Sequence, residues 1–290
     1  MPDFELITAA TCDLPNSLCK ELDLKVIPME FTINGVSYLH YLDAREMSFE
    51  EFYTRIKEGQ VAKTVLINCQ TFIDYFEPIL QAGKDILFLS FTSGLSGTYN
   101  ACNIAMQELR EKYPDRKIIC VDSLCASIGE GFFDYLVALK RKEGLTIDEL
   151  ANYAERIKLN ICHWFVVDDL DQLVRGGRIN AVTATIGKAF QIKPLISCNM
   201  EGKLITVAKI RGPIKVFEAL IERLKRDSSG LRTVAIGHSH NEADAIRLAE
   251  MLKEQNLIDN YIINDIGPII GAHTGSGMLA LVFLGERRFS

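Results

Sequence analysis

The chain lacks both a membrane-spanning segment and an excess of positive charge. None of its apolar runs approaches the roughly 20 residues that cross a bilayer, and its first residues lack the charged and then apolar start of a signal peptide. The 32 Lys and Arg residues are outnumbered by 38 Asp and Glu residues, so the net charge is −6. We therefore expect a cytoplasmic protein that is not stably inserted in a membrane and does not bind nucleic acid.

Metal and nucleotide signatures are missing as well. The eight cysteines stand singly, without a CxxC pair or another zinc-ligand spacing. No GxxxxGK[ST] sequence occurs, and the glycines of residues 271–277 precede an apolar strand, whereas a dinucleotide fingerprint follows one. We therefore expect neither a metal nor another cofactor. In a reducing cytoplasm the thiols should be small, buried side chains.

The first half of the chain alternates between strand and helix patterns. Ser48, three residues before Glu51, predicts the start of a helix that Gly59 ends, and a second helix is expected near residues 71–81. The pair Asn34-Gly35 predicts a type I′ hairpin turn. Alternation of this kind implies a parallel sheet covered by helices on both faces. Its strands are expected near residues 4–8, 24–28, 86–90 and 117–121.

The second half follows a different pattern, because its strands are joined by short turns as well as by helices. These strands are expected at residues 162–167, 193–197, 203–210, 233–238 and 279–284. Residues 199–202 resemble a hairpin loop, which a purely parallel sheet would not contain. We predict two α/β domains: an N-terminal α/β/α domain with a parallel sheet over residues 1–160, and a C-terminal domain with a mixed sheet over residues 161–290.

Hydroxyls and glycines follow the apolar strand at residues 86–90, in the segment Phe-Thr-Ser-Gly-Leu-Ser-Gly-Thr that starts at Phe91. Ligands of α/β sheets collect beyond the carboxyl ends of strands, where free N–H groups of the next helix favour a carboxylate or phosphate. The segment therefore indicates an anion site. An ordinary turn in which Ser96 or Thr98 caps the following helix explains the same residues.

A serine nucleophile is the alternative from another functional class. The order Gly94-Leu-Ser96-Gly97 misses the GxSxG motif, because the second glycine falls one position early. No base stands beside it in sequence, although a distant histidine could approach in the fold; the candidates are His238, His240 and His273. A serine-dependent esterase or thioesterase that uses Ser93 or Ser96 therefore remains an alternative with less support.

Two positively charged segments stand out on this acidic chain. Arg175 and Arg178 flank a glycine pair, and Arg211 ends a predicted strand. Such residues can receive a phosphate or the acidic surface of a partner. The other interpretation is a solvated face with local ion pairs.

Five segments, in order and with matching spacing, resemble successive blocks of the bacterial DegV family of fatty-acid-binding proteins. They read FTSGLSGTYNA, VDSLCASIGEG, DDLDQLVRGGRI, KPLISCNMEGKL and IGPIIGAHTGSGMLALVFLG, within a likeness that extends from Ile7 to Gly285. The resemblance implies a two-domain α/β protein that holds one long-chain fatty acid, with its carboxylate near the domain junction and its acyl chain in an apolar tunnel. Carrier-type members present this carboxylate to a separate fatty acid kinase, so the chain would have no catalytic residues of its own.

The resemblance also implies site residues. Thr64, Ser93 and His273 match the positions that contact the carboxylate, and Gly94, Ser96 and Thr274 stand beside them. Arg178 and Arg211 match arginines expected near the tunnel mouth or on the face that docks the kinase.

Two departures from the family pattern make the surroundings of the head group more apolar. The usual TDST is here Thr8-Ala-Ala-Thr11, and the usual KTSQPS is Lys63-Thr-Val-Leu-Ile-Asn68. The preferred ligand is left open by these changes. A regulator that senses lipid and binds another protein is a third interpretation of the same sequence.

Overall fold

The computed structural model describes residues 4–168, 170–179 and 192–288, whose strands form three sheets. The strands are β1 (Phe4–Ala9), β2 (Lys25–Ile27), β3 (Met29–Ile33), β4 (Val36–His40), β5 (Ala62–Thr64), β6 (Asp85–Ser90), β7 (Ile118–Asp122), β8 (Ile161–Val166), β9 (Ile192–Cys198), β10 (Leu204–Arg211), β11 (Thr233–His238), β12 (Asn260–Asp265) and β13 (Leu279–Leu284). The helices are α1 (Asn16–Glu21), α2 (Phe49–Lys57), α3 (Cys69–Gln81), α4 (Thr98–Lys112), α5 (Ile128–Lys142), α6 (Ile147–Ile157), α7 (Asp171–Arg175), α8 (Pro213–Asp227), α9 (Glu242–Glu254) and α10 (Pro268–Thr274).

The four-stranded sheet has the order β2-β1-β6-β7, and all its strands are parallel. Both of its faces are buried, because neighbouring residues of β1 such as Leu6 and Ile7 belong to different apolar clusters on opposite sides. A strand buried on both faces has no polar alternation, which is why its sequence reads as an apolar run. The predicted parallel sheet is confirmed.

A small antiparallel sheet, β4-β3-β5, lies beside the parallel one. Asn34 and Gly35 join β3 to β4 with φ angles of 49° and 83°. Positive φ at both central residues is the type I′ geometry that the sequence predicted. Strand β5, only three residues long, has no pattern of its own and was not predicted; its pairing with β3 fixes the position of Thr64 opposite Phe31.

The third sheet is mixed, with the order β10-β9-β8-β13-β11-β12, as predicted. Strands β9 and β10 are antiparallel neighbours, so residues 199–202 are the expected hairpin loop. Strand β12 was missed in the sequence. It lies at the sheet edge and begins and ends with polar residues, so it lacks the apolar run that marked the other strands.

Helix α5 lies between the parallel and the mixed sheets. Eleven of its 15 residues are buried. One side of the helix contacts the turn that follows β1, and the other side packs against β8, β11 and β13. One apolar cluster therefore extends across both halves of the chain. The division between residues 160 and 161 stays a prediction.

Among the described residues, no helix combines the length and apolar character that spanning a bilayer requires. All eight cysteines have free thiols, and six of them are buried.

Candidate functional site

A cavity lies between the two larger sheets. The space within its walls is about 1140 Å³, the open mouth included. Its walls come from β5, the loop after β6, the start of α5, the inner faces of β8 and β13, and α10. Polar side chains gather at one end of the cavity, and apolar side chains line most of the remainder.

At the polar end, Thr64 and His273 meet although 209 residues separate them in the chain. Thr64 Oγ1 lies 3.0 Å from His273 Nε2. Strand β5 holds the threonine, and the last turn of α10 holds the histidine. Both residues were predicted for the site, and both line the cavity, as does the neighbouring Thr274.

His273 is a neutral imidazole at physiological pH. Burial, with a smaller contribution from the positive charge of Arg178, lowers its pKa to about 4. The ring fits closely against Gly176, because a Cβ there would lie 2.5 Å from His273 Nδ1. Gly176 therefore lets the ring approach the main chain, and a neutral ring still has one N–H to donate.

The loop after β6 contributes Ser96 to the cavity, and the first residue of α4 contributes Thr98. The two hydroxyl oxygens are 3.0 Å apart, and Ser96 Oγ also accepts a hydrogen bond from the Thr98 N–H at 3.2 Å. This N–H belongs to the first residue of α4, a 15-residue helix. The dipole and free N–H groups of that helix favour an anion beside the two hydroxyls.

Ser93 and Gly94 lie outside the cavity, although the sequence placed them with the anion site. The Ser93 side chain is exposed, and its N–H donates to Asp122 Oδ1 at 3.1 Å. Gly94 packs against the β9–β10 hairpin so closely that a Cβ would lie 2.6 Å from the Glu201 carbonyl oxygen. These contacts direct this half of the loop away from His273.

The two predicted arginines occupy different places. Arg178 lines the cavity, and its Nε donates to the Leu95 carbonyl oxygen at 3.2 Å. Arg211 is exposed at the end of β10 and does not line the cavity. Arg178 therefore adds positive charge to the polar end, whereas Arg211 belongs to the outer surface.

The walls beyond the polar end are mainly apolar. They include Ile128 from α5, Phe165 from β8, Leu204 from β10, and Ala280 and Val282 from β13. Sequence analysis did not identify these residues. Strands buried on both faces are apolar throughout, so their composition does not reveal which side chains face a cavity.

The aliphatic residues that replace the usual polar ones after Thr64 lie at the mouth of the cavity. Val65 and Leu66 line the cavity and are also 41% and 46% exposed. Large exposed aliphatic side chains beside a cavity give its mouth an apolar rim.

The geometry gives little support to a serine nucleophile. Ser96 Oγ pairs with Thr98, and His273 pairs with Thr64, so these described contacts form no serine–histidine pair. His238 lies beside Asp265, 3.3 Å from Nδ1 to Oδ1, and His240 stacks on Tyr53. Neither of these histidines lines the cavity.

Comparisons with known proteins agree over nearly the whole chain. A family model described as "Uncharacterised protein, DegV family" matches residues 3–286. A DegV domain-containing protein of Clostridium perfringens is 39% identical over 290 residues, which cover 99% of each chain. A DegV lipid-binding protein from Thermotoga maritima is 28% identical, with a TM-score of 0.84 and 100% of both chains covered. A DegV family protein from Thermus thermophilus, described by its fatty acid binding, is 25% identical, with a TM-score of 0.87 over 97% of this chain and 99% of that one.

Proposed function

The chain belongs to the DegV family, and we propose that it binds one long-chain fatty acid in the cavity between its sheets. The observation that carries this proposal is the distribution of side chains around the cavity: hydroxyls, an imidazole and a guanidinium gather at the polar end, and the rest of the lining is mainly apolar. Fatty acid binding by the Thermus thermophilus relative gives independent support. The carboxylate of a fatty acid suits the polar end, and its long alkyl tail suits the apolar part of the cavity.

In this proposal the carboxylate lies against Thr64, Ser96 and His273, with Thr98 and Arg178 nearby. Hydroxyls and the neutral imidazole donate hydrogen bonds, and the guanidinium supplies the positive charge that a buried carboxylate requires. The resemblance assigned a contact to Ser93, but the side chain of Ser96 is the one that lines the cavity.

The tail provides most of the binding energy. At about 0.8 kcal/mol for each buried methylene, 14 such groups contribute on the order of 11 kcal/mol before entropic costs. A hydrogen bond to a charged group adds only about 1.5 to 3 kcal/mol. The apolar walls should therefore set affinity and chain-length preference, and the polar end should set orientation.

Protein purified from a bacterial host should carry roughly one long-chain fatty acid per chain, because an unfilled apolar cavity forfeits its contacts. Lipid mass spectrometry of an extract identifies the acid, and delipidation should lower the Tm. Identical masses and Tm values before and after delipidation would contradict the proposal. A covalent acyl-serine that persists under denaturing conditions would favour the esterase instead.

We further propose that the protein is a cytoplasmic carrier that presents the carboxylate to a separate fatty acid kinase. Support comes from the position of the polar end at the open part of the cavity, beside the exposed side chains of Val65 and Leu66. Phosphoryl transfer needs positioning and positive charge around the acceptor, and an ATP-binding partner can complete such a site. A lipid-sensing regulator would bind the acid without turnover.

Replacing Arg178 or Arg211 by Gln should affect different measurements: fatty-acid affinity for Arg178 and kinase turnover for Arg211. Arg178→Gln should weaken fatty-acid binding about 10-fold, because the carboxylate loses a charged neighbour. Arg211→Gln should leave affinity unchanged and lower the rate of kinase turnover on the bound acid, with a smaller effect at high salt because surface charges are screened. Affinity and turnover are measured at several salt concentrations. An Arg211→Gln variant unchanged in both assays would make this residue part of a solvated face.

The pKa of His273 should report the head group directly. Burial and Arg178 hold this pKa at about 4 in the delipidated protein, so the ring is neutral above pH 5. A bound carboxylate favours the imidazolium and should raise the pKa, whereas the matching long-chain alcohol should not. NMR of the histidine ring protons between pH 4.5 and 8 measures the shift. His40, whose pKa burial lowers to about 4 and whose side chain does not line the cavity, is the internal control. Equal midpoints with acid and alcohol would place the carboxylate elsewhere.

A further inference from the structure

Six side-chain oxygens without hydrogen-bond partners lie together between β1 and α5. They belong to four residues that are at most 3% exposed: Thr8, Thr11, Glu130 and Asp134. Glu130 and Asp134 stand one turn apart on α5, Thr8 lies near the end of β1, and Thr11 lies in the buried turn that follows it. Helix and turn pack closely, because a Cβ on Gly131 would lie 2.2 Å from the Cys12 carbonyl oxygen.

The two hydroxyls face the carboxylates. Thr8 and Thr11 lie close enough to Glu130 to act on its carboxylate, although the distances and angles do not form hydrogen bonds. Thr8 acts on Asp134 in the same way. Because none of the six oxygens forms a hydrogen bond, all of them are available as ligands for one cation.

No described lysine, arginine or histidine forms an ion pair with Glu130 or Asp134. Arg141, on the same helix, donates instead to the carbonyl oxygens of Phe4 and Asp23. Asp13, the next buried carboxylate, already accepts from Ser127 and Gly267 and adds negative charge. Two buried carboxylates without a basic partner must be neutralised either by protons or by a bound cation.

We propose that Thr8, Thr11, Glu130 and Asp134 form a binding site for one hard divalent cation, Ca²⁺ or Mg²⁺. Two carboxylates balance its charge, and six oxygens suit these cations, which prefer oxygen ligands in sixfold or higher coordination. The described residues contain no group of three or more His, Cys, Asp or Glu side chains arranged for a metal, so this site depends on two carboxylates and two hydroxyls. None of the four side chains is a thiolate or an imidazole, which disfavours the softer transition metals. Only Thr11 also lines the cavity, so the site lies behind the cavity wall.

The cation should bind wild-type protein that has been treated with a chelator. Native mass spectrometry should show one added Ca²⁺ or Mg²⁺ per chain, and the Tm should rise by about 5 °C when the cation exceeds its Kd about 100-fold. Sodium chloride at equal ionic strength is the salt control. A wild-type protein with the same Tm in chelator, CaCl₂ and MgCl₂, and with no bound ion, would overturn the proposal and leave protons to neutralise the pair.

The double variant Glu130→Gln/Asp134→Asn separates a cation site from general stabilisation by salt. Without metal it should be at least as stable as the wild type, because the buried charges are gone, and it should not respond to either cation. The matched control is Glu108→Gln/Glu111→Gln, an equal charge change at exposed positions of α4, which should respond like the wild type. A response retained by the first variant, or lost by the second, would contradict the assignment. If the first variant does not fold, the number of ions bound per wild-type chain and the wild-type Tm with and without the cation decide whether the site exists.

Discussion

Thr64→Val combined with Ser96→Ala should weaken the binding of a long-chain fatty acid by more than 100-fold. Both hydroxyls line the polar end of the cavity, where Thr64 Oγ1 is 3.0 Å from His273 and Ser96 Oγ is 3.0 Å from Thr98. Two lost hydrogen bonds to a charged group cost about 3 kcal/mol or more, which exceeds a 100-fold change in Kd. Isothermal titration of delipidated protein with the acid and the matching alcohol measures the effect.

The alcohol and Ser93 provide the controls for this experiment. Binding of the alcohol should fall much less, because it has no charge to solvate. Ser93→Ala removes the same hydroxyl three residues away, from an exposed side chain outside the cavity, and should change nothing. Equal losses for acid and alcohol would move the head group elsewhere. A large effect of Ser93→Ala would restore the contact that the family resemblance implies.

Ala280→Phe should reduce the affinity for an 18-carbon acid more than 100-fold and spare a 12-carbon acid. Ala280 lies in the cavity wall on β13, between Phe165 of β8 and Gly237 of β11. A benzyl group there should displace about four methylenes of the tail, at about 0.8 kcal/mol each. Shorter acids that end before this position lose little. Affinities for acids of increasing length give the measurement.

Two controls separate a blocked tail from a damaged fold. Overpacking costs about 1 to 3 kcal/mol of stability, so the Tm of the delipidated variant is measured alongside. Ala243→Phe makes the same change at an exposed position of α9 and should leave all affinities unchanged. If Ala280→Phe weakens every chain length equally, Ala280 does not limit the tail.

Local sequence signals were sufficient for most of the fold. The apolar runs of β1 and β6 predicted strands buried on both faces, Asn34-Gly35 predicted its turn type, and Ser48 predicted the start of α2, where its hydroxyl accepts from the Glu51 N–H at 3.1 Å. Each of these sequence signals works because residues adjacent in the chain determine the local main-chain conformation. Strands β5 and β12 were missed because their pairing partners, rather than their own composition, make them strands.

The candidate site required the tertiary structure. Sequence alone indicated an anion site after β6 and, through the family resemblance, the pair Thr64 and His273, but only the fold brings residues 209 positions apart to 3.0 Å. Ser93 and Ser96 have the same side chain and the same loop, yet the close approach of the β9–β10 hairpin to Gly94 directs one outward while the other lines the cavity. The direction of a loop side chain depends on contacts with distant segments, which local sequence does not encode. Local sequence therefore determined the strands, the turns and the chemistry of the loop, and long-range packing decided which of its hydroxyls face the cavity.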